Sequence, residues 1–425
     1  MKNTLALALI ATATWFTGSP PASGADDGAA TSADALVAPR TPRGTSPEPP
    51  FPTYLGSFAD PLTGARVTRI SGDKGETIPN TSAKWKGRTR SVYNLKRVWS
   101  ADEKLLFIGI GGPLVLDGDT YEVLHRWGPP ESGTWHPTRP DVMIYVKDNA
   151  VWEWNARGNT TRQLASIQGY SDFVQSSSED WITADGRLIG VTARRLPDGK
   201  DVGFVIDIET GKRAPVDLVF AEHGFARKVR AFQVCRPSNS GKHIILRARG
   251  GEKGTLNSDG EALTVFDLTG KEISRHWSPP DTPTHGDLAL TADLHDVMVG
   301  RSDDGWPERP KYYGEVAWNL REDKLLALGP AGTHTSGRAF KLPGWAFAST
   351  FGKGGIIFMV KLDGSGEIRT VCQTWHHNPV NYWAQTQAIP SPNGTRVMFA
   401  SNWGTGLNYD DGEAHSFVAD LRKRP

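Results

Sequence analysis

Polar side chains recur along the chain where predicted β-strands begin, and several of these residue types can transfer protons or bind a ligand. The set is Tyr93, Asn94, Lys96, Trp135, His136, Ser178, Glu179, Gln233, His285, Asp287, His334, Gln385 and Gln387. Tyrosine and histidine serve as general acids and bases, and histidine is also a common metal ligand. This polarity indicates a ligand-binding channel, although a solvated channel mouth without function would be polar as well.

Arginines stand just beyond the second predicted strand of three consecutive repeats. They are Arg194, Arg195, Arg247, Arg249 and Arg301. A guanidinium suits a carboxylate because it can donate two parallel hydrogen bonds to it. The chain also contains 15 tryptophans, which could stack on sugar rings or pack neighbouring blades together. The arginines therefore predict a site for an anionic, ring-shaped ligand.

The sequence lacks the more specific catalytic signatures. It has no nucleophile elbow around a serine, no phosphate-binding loop, no paired-cysteine zinc motif and no dinucleotide fingerprint. A net charge of +1 argues against nucleic acid or an anionic membrane as the main partner, because either would favour a clustered basic excess. We expect a monomer that binds an anionic ligand, and the family resemblance described below implies that this ligand is an anionic polysaccharide or oligosaccharide.

The elements that must position these residues are short strands joined by a recurring turn. The clearest copy is the Ser-Pro-Asn-Gly turn at 391–394, and Asn-Gly between two apolar runs is a strong hairpin signal. Weaker copies of this turn begin at Ser100, Thr183, Ser238 and Thr291. Their spacing falls in the range of about 40–50 residues that is typical of propeller blades.

These signals predict an all-β fold, a seven-bladed β-propeller. The predicted blades are 92–126, 134–164, 174–215, 230–277, 285–328, 334–369 and 383–421. Residues 66–70 alternate in polarity, and we expect this strand to complete the last blade and so remove a free sheet edge.

The N-terminus predicts export. One positive charge at Lys2 is followed by an apolar run at 5–11 and by small residues at 22–25. We expect a signal peptide over 1–25, a flexible leader over 26–50 and the propeller domain over 51–425, in a secreted or periplasmic protein. Cys235 and Cys372 fall in distant predicted blades, so a disulfide, free thiols and a metal ligand all stay open.

Three stretches carry a family resemblance: 285–288, 334–340 with 343–345, and 383–404. They are similar to secreted bacterial seven-bladed propellers related to ulvan lyases and, more distantly, to oligogalacturonate lyases. The resemblance implies cleavage of a uronic-acid-containing polysaccharide by β-elimination. That reaction needs a cation to neutralise the uronate carboxylate, a base to remove the C5 proton and an acid to protonate the leaving oxygen.

For these roles the resemblance implies Arg194 and Arg247 at the carboxylate, and His136 and Tyr93 in proton transfer. The relatives place a pair of histidines early in the propeller, where this chain has Tyr93 and Lys96. The alternative is a non-catalytic carbohydrate-binding or scaffold propeller, which would keep the aromatic and arginine side chains without an aligned base.

A divalent metal site is predicted on the last three blades. His285 and His334 are 49 positions apart and Gln387 lies 53 further on, so the three residues can occupy matching places on adjacent innermost strands. His376 or His377 could supply a further ligand, with Cys372 as another. The resemblance to oligogalacturonate lyases implies the same region, since histidines and a glutamine hold their metal. Zinc, manganese or calcium would suit such ligands, and the alternative is polar residues that bond each other and water.

Overall fold

The computed structural model describes most of the chain. The described residues are 42–91, 93–126, 133–174, 179–214, 217–223, 234–249, 261–278, 283–302, 314–350, 352–376, 384–403 and 413–423. All of them belong to one compact unit, Leu36–Pro425. The predicted signal peptide, His377, Ser178 and Gln233 lie outside the described residues. Within the described ranges, no helix is long and apolar enough to cross a lipid bilayer.

Seven antiparallel sheets form the blades of a β-propeller, which confirms the predicted fold. The first two strands of the described chain form a hairpin of β1 (Ser57–Ala59) and β2 (Arg66–Arg69). The strands of blades one and two are β3 (Leu105–Ile108), β4 (Leu114–Asp117), β5 (Val123–Arg126), β6 (Thr134–Trp135), β7 (Val142–Lys147), β8 (Ala150–Asn155) and β9 (Thr160–Ser166). Those of blades three and four are β10 (Tyr170–Val174), β11 (Leu188–Arg195), β12 (Asp201–Asp207), β13 (Leu218–Val219), β14 (Val234–Pro237), β15 (His243–Arg249), β16 (Glu261–Asp267) and β17 (Glu272–Ser278).

Blades five to seven continue the pattern. Their strands are β18 (Thr284–Leu290), β19 (Asp296–Ser302), β20 (Gly314–Asn319), β21 (Lys324–Gly329), β22 (His334–Ser336), β23 (Trp345–Ser349), β24 (Ile356–Lys361), β25 (Ile368–Gln373), β26 (Ile389–Pro390), β27 (Arg396–Ser401) and β28 (His415–Asp420). Short 3-10 turns at Phe220–His223 and Leu421–Lys423 are the named helical segments of the described chain.

The N-terminal hairpin closes the ring. β2 pairs with β28 from Arg66 opposite Asp420 to Arg69 opposite Phe417, so the last blade contains strands from both ends of the propeller. The closing strand predicted at residues 66–70 therefore pairs with the last blade as expected. This pairing satisfies the edge of β28, which would otherwise expose unpaired backbone groups.

The recurring turn has the same geometry in each copy. In the turn at 183–186, the Gly186 amide donates to the Thr183 carbonyl at 3.0 Å, and the copies at Ser391 and Thr291 form the same bond. The fourth residue of each copy has a positive φ, for example 81° at Gly186 and 72° at Gly394. Glycine is favoured there because it adopts positive φ without steric cost.

The core lies between neighbouring blades. Val142 and Ile144 of blade two pack with Ile189 and Phe204 of blade three in one continuous apolar cluster. The large, fully buried side chains include Trp99, Trp135, Trp154, Trp181 and Trp318. These five indoles therefore pack the core and are not available to stack on a sugar. Cys235 and Cys372 are buried free thiols, and burial raises the pKa of Cys235 to about 12.

Blade one departs from the others along its innermost edge. Arg90 and Trp99 form isolated antiparallel bridges with Ile110 and Leu106, but between them Leu95 forms a parallel bridge with Glu179 of blade three. The Asn94 amide also donates to the Thr335 carbonyl of blade six at 2.7 Å. Residues 93–98, which we call the crossing segment, therefore contact blades on two other sides of the central channel.

Candidate functional site

The innermost strands define two faces of the propeller. Each of these strands begins at one face, which we call the entry face and which includes His285 and His334 at the starts of β18 and β22. Each ends near a recurring turn such as 183–186 or 391–394, on what we call the turn face. A residue's place along its innermost strand therefore decides on which face of the propeller it lies.

Three aromatic rings meet at the entry face. The ring of His334 lies 5.4 Å from that of Tyr93 and 5.2 Å from that of His285, measured between centroids, and both contacts are edge-to-face. His334 is buried between them, whereas His285 is exposed and Tyr93 is half-buried. All three residues were singled out by the sequence, and the structure brings them together.

His285 occupies an unusual backbone position. A β-bulge interrupts the pairing of β18 with β19 between Thr284 and Asp287, and His285 has a φ of 50°. Gly286 allows the bulge, because a Cβ there would lie 2.2 Å from the Val299 carbonyl oxygen. Positive φ is uncommon for residues other than glycine and often marks functional sites. The bulge presents His285 to solvent beside the buried His334.

His334 is an uncharged base at neutral pH. Burial, followed by the charges of His285, Arg301 and Arg90, lowers its pKa well below the usual value. Neither ring nitrogen has a hydrogen-bond partner in the described part of the chain. A buried polar group without a partner is rare in folded proteins. The described contacts of this ring are the edge-to-face ones with Tyr93 and His285.

The surroundings of His334 are electropositive. Arg90 is buried and donates to the Gln387 side-chain oxygen at 2.5 Å and to the Ser91 carbonyl at 3.2 Å. Arg301 lies on β19 opposite Thr284, next to the bulge. Since both arginines lower the pKa of His334, their charges act on the ring cluster. An anion at the entry face would be stabilised by the same charges.

Arg194 and Arg247, two of the other arginines predicted from the sequence, already contact carboxylates. Arg194 lies near the end of β11 and pairs with Asp201 at 3.4 Å and Asp172 at 3.7 Å. Arg247 pairs with the buried Glu179. Each of these carboxylates offsets positive charge, so the two arginines offer less net attraction to an anionic ligand than their number suggests.

His136 lies on the turn face, away from the other predicted site residues. It follows the end of β6, and its Nδ1 accepts from the amides of Thr138 and Arg139 at 3.2 and 3.1 Å. Its ring packs on Gly186, where a Cβ would lie 2.2 Å from the ring carbon Cε1. Burial, with help from Arg139 and Arg97, lowers its pKa to about 3. The ring therefore packs between its own turn at 136–139 and the recurring turn at 183–186.

The predicted metal ligands come together only in part. His285 and His334 are neighbours, but the Gln387 oxygen that would face a metal accepts from Arg90. His377 lies outside the described residues. Among the residues that the structure describes, no group of three or more histidine, cysteine, aspartate or glutamate side chains could hold a metal ion.

A buried ion network closes the channel further along the innermost strands. Its members are Lys96, Arg97, Glu179, Asp180, Arg236, Asp287 and Arg338. Asp180 accepts from Arg97 at 2.8 Å and from Arg338 at 2.7 Å. Arg338 also reaches Asp287 at 2.6 Å, and Asp287 in turn accepts from Arg236 at 3.0 Å. The network therefore ties the crossing segment to blades three, four, five and six.

Sequence reasoning missed two parts of this arrangement. It did not single out Arg90, which precedes the polar run of blade one, or the pairing of Arg338 with two carboxylates. The partners of Arg338 lie 51 and 158 positions away in sequence, so no local pattern connects them. One signal in the sequence pointed to such pairs. Charged residues occur on innermost strands, which are buried, and buried charged residues are almost always paired.

Comparison with solved structures gives the same fold. The chain is similar to an oligogalacturonate lyase in complex with manganese, with a TM-score of 0.52 and 14% identity over 87% of this chain and 97% of that one. It is also similar to an oligogalacturonate lyase from Vibrio parahaemolyticus, with a TM-score of 0.54 and 12% identity over the same shares of the two chains.

The sequence itself matches no protein-family model and is similar to none of the curated proteins. At such low identity the structural likeness shows the fold alone, which is the seven-bladed propeller of these lyases. The likeness to ulvan lyases stays a prediction.

Proposed function

We propose that the entry face binds a uronic-acid-containing polysaccharide and cleaves it by β-elimination. The observation that carries the proposal is the cluster of Tyr93, His285 and His334 beside Arg90 and Arg301. It combines two groups able to transfer protons with cations able to neutralise a carboxylate, and these are the parts that the reaction needs. The fold of two solved oligogalacturonate lyases supports this choice of chemistry.

In the proposed reaction, Arg301 and Arg90 stabilise the uronate carboxylate as it takes up negative charge. His285, the exposed ring, removes the proton from C5. The electron pair of that C–H bond forms a double bond between C4 and C5, and the C4–O bond breaks. Tyr93 donates its hydroxyl proton to the departing oxygen. Exchange of one proton with solvent then restores both side chains.

His334 is proposed as a positioning residue that acts through its neighbours. Its ring contacts both Tyr93 and His285. Because its pKa is lowered, it stays neutral and does not place a second positive charge against His285 as that ring takes up the C5 proton. A bound carboxylate would also offset the charges of Arg90 and Arg301, which raises the proton affinity of the cluster when substrate is present.

The described residues do not fit the predicted metal site. Two imidazoles at 5.2 Å are close enough to share an ion, and the unpartnered nitrogens of His334 would suit one. However, the Arg90 guanidinium holds the Gln387 oxygen, and the charges of Arg90 and Arg301 would repel a dication. One structural neighbour contains manganese, but for this chain we derive no step through a metal and assign the charge role to arginine.

The second candidate is a non-catalytic propeller that binds the polysaccharide. Arg194 and Arg247 favour it, because both stay partly exposed while Asp201 and Glu179 hold them in place, and a binding surface needs fixed hydrogen-bond donors but no aligned base. Both candidates predict that the protein is retained on an anionic polysaccharide column. They differ in the product, because only a lyase generates an unsaturated uronate.

The test is a panel of uronate polysaccharides assayed by the ultraviolet absorbance of the unsaturated product. We expect absorbance to rise with the wild-type protein and to fall by about 100-fold or more with H285A, the usual effect of removing a general base. H295Q is the matched control, because His295 is an exposed histidine on the turn face. Retention on the column without any absorbance would instead support the binding candidate.

A further inference from the structure

The ion network in the channel is not electrically balanced. It contains three carboxylates and four cations, and each side chain is less than a tenth exposed. The carboxylates are those of Glu179, Asp180 and Asp287, and the cations are Lys96, Arg97, Arg236 and Arg338. Arg247, which is partly exposed, adds a further positive charge through its contact with Glu179. The buried part of the network therefore carries an excess of one positive charge when every member is ionised.

The excess charge lies on the crossing segment. Lys96 Nζ has no hydrogen-bond partner in the described part of the chain, and neither do Nε and Nη1 of Arg97. Only Nη2 of Arg97 is engaged, by Asp180. By contrast, Arg338 uses all three of its nitrogens, on Asp180, Asp287 and a backbone carbonyl. Three buried donors on two adjacent residues thus have no acceptor among the residues that the structure describes.

Aromatic walls enclose these donors. Lys96 Nζ lies 5.5 Å from the centre of the Trp181 ring, and the Arg97 guanidinium lies 4.5 Å above the ring of Phe340. Both basic side chains are at most 2% exposed. Because both side chains are this deeply buried, a ligand that reaches their donors has to be compact and has to accept hydrogen bonds.

An unpaired buried positive charge is costly, and it is removed by loss of the proton or compensated by a bound counter-ion. Burial, partly offset by Asp180, lowers the pKa of Lys96 to about 8, so the amine still holds its proton at pH 7. Burial also lowers the pKa of Arg97, to about 10. Proton loss therefore does not balance the network at neutral pH, and an anion would.

We propose that the channel holds one small monovalent anion, of the chloride class, bound by Lys96 and Arg97 where the crossing segment meets blade three. An anion offsets the excess positive charge, which is one among the buried members and two with Arg247, and a small ion suits donors that are this deeply buried. The site is separate from the entry-face cluster, so the proposal does not depend on the proposed lyase activity. The anion would act as a structural ligand that stabilises the closed channel.

The first test is equilibrium unfolding in urea at pH 7, in sodium chloride and in sodium gluconate of equal concentration. Unfolding opens the channel, so a buried site equilibrates with solvent during the experiment. A ligand that binds only the folded state stabilises it in proportion to ln(1 + [L]/Kd). We expect the unfolding midpoint to rise steadily with the chloride fraction, and to do so with bromide as well.

The matched variants are K96M and K104M. K96M removes one positive charge and one donor, and we expect its midpoint to be the same in chloride and gluconate. K104M removes an exposed lysine that pairs with Asp119 at the surface, and we expect it to keep the full chloride dependence. Equal midpoints in the two salts for the wild-type protein, or an unchanged chloride dependence in K96M, would overturn the proposal.

The second test uses the wild-type protein and therefore survives a failure of K96M to fold. Crystals grown in sodium bromide are measured at the bromine absorption edge. We expect one anomalous peak within hydrogen-bonding distance of Lys96 Nζ and Arg97 Nη1. Ordered water alone between these two donors, with no anomalous signal, would overturn the proposal.

Discussion

Replacing Asp180 by asparagine perturbs the ion network at the carboxylate that joins the crossing segment to blade six. Asp180 accepts from Arg97 at 2.8 Å, from Arg338 at 2.7 Å and from the Thr134 hydroxyl at 3.1 Å, and it is fully buried. Burial alone would raise its pKa, but Arg97, Arg338 and Lys96 lower it below the ordinary value. The asparagine side chain has nearly the same shape, so the change removes charge without creating a cavity.

The expected loss follows from the contacts of Asp180. Two charge-assisted hydrogen bonds are lost or weakened, each worth about 1.5–3 kcal/mol. The cations Arg97 and Lys96 are then left without the carboxylate that compensates them. Breaking a buried ion pair by removing one partner typically destabilises a protein by about 3–5 kcal/mol. We expect D180N to lower the free energy of unfolding by about that amount.

The assay is urea unfolding followed by tryptophan fluorescence at pH 7. D148N is the matched control, because Asp148 is exposed and forms a 3.5 Å ion pair with Lys147 at the surface. Exposed pairs contribute little, so we expect D148N to change stability by no more than about 1 kcal/mol. If D180N were as stable as D148N, Asp180 would not hold the channel closed.

Three further outcomes follow from the site and its surroundings. We expect R301A to lower kcat/KM on a cleaved polyuronate by about 100- to 1,000-fold, as for other preorganised electrostatic donors, while R162M at an exposed ion pair changes it little; equal rates for the two variants would remove Arg301 from the mechanism. Burial and the charge of Arg69 lower the pKa of His415 to about 4, below its unfolded value of about 6.5. Its contribution to stability is therefore present above pH 6.5 and is lost as the pH falls towards 4, by up to about 3 kcal/mol. H415Q should flatten this part of the stability profile in urea unfolding, and an unchanged profile would contradict the assignment. Finally, we expect chelator treatment to leave the melting temperature unchanged, because Arg90 occupies the Gln387 oxygen; stoichiometric manganese by elemental analysis, with a rise in melting temperature when it is added back, would restore the predicted metal site.

The blade pattern could be predicted because its signals are local. The recurring turn needs a residue with positive φ at its fourth position, and Gly186, Gly241 and Gly394 supply it. The closing strand could be predicted as well, since an unpaired edge at the last blade has to be covered. The structure shows that cover in the pairing of β2 with β28.

The crossing segment could not be predicted, because its contacts are long-range. From the sequence, Tyr93 and Asn94 read as the start of an ordinary innermost strand. In the structure, Leu95 bridges to Glu179, and Asn94 bonds to Thr335 across 241 positions of sequence. No local propensity encodes such contacts, so the closed channel and its charges became visible only in three dimensions.

The candidate site was predicted in part. Matching positions on adjacent blades correctly grouped His285 with His334, because innermost strands that start at one face bring their first residues together. His136 differs because it follows its short strand and precedes Pro137, which places it in a turn on the opposite face. Whether a histidine stands at the start or after the end of its innermost strand therefore distinguishes the entry-face histidines from His136.

The decisive measurement is the unsaturated uronate formed from a polyuronate by the wild-type protein, H285A and H295Q, with folding checked by circular dichroism. We expect the wild-type and H295Q proteins to generate the ultraviolet-absorbing product at similar rates. We expect H285A, while still folded and retained on the polysaccharide, to form it at least about 100-fold more slowly. Equal rates for H285A and wild type, or chain cleavage that yields only saturated ends, would contradict the assignment of β-elimination to this cluster.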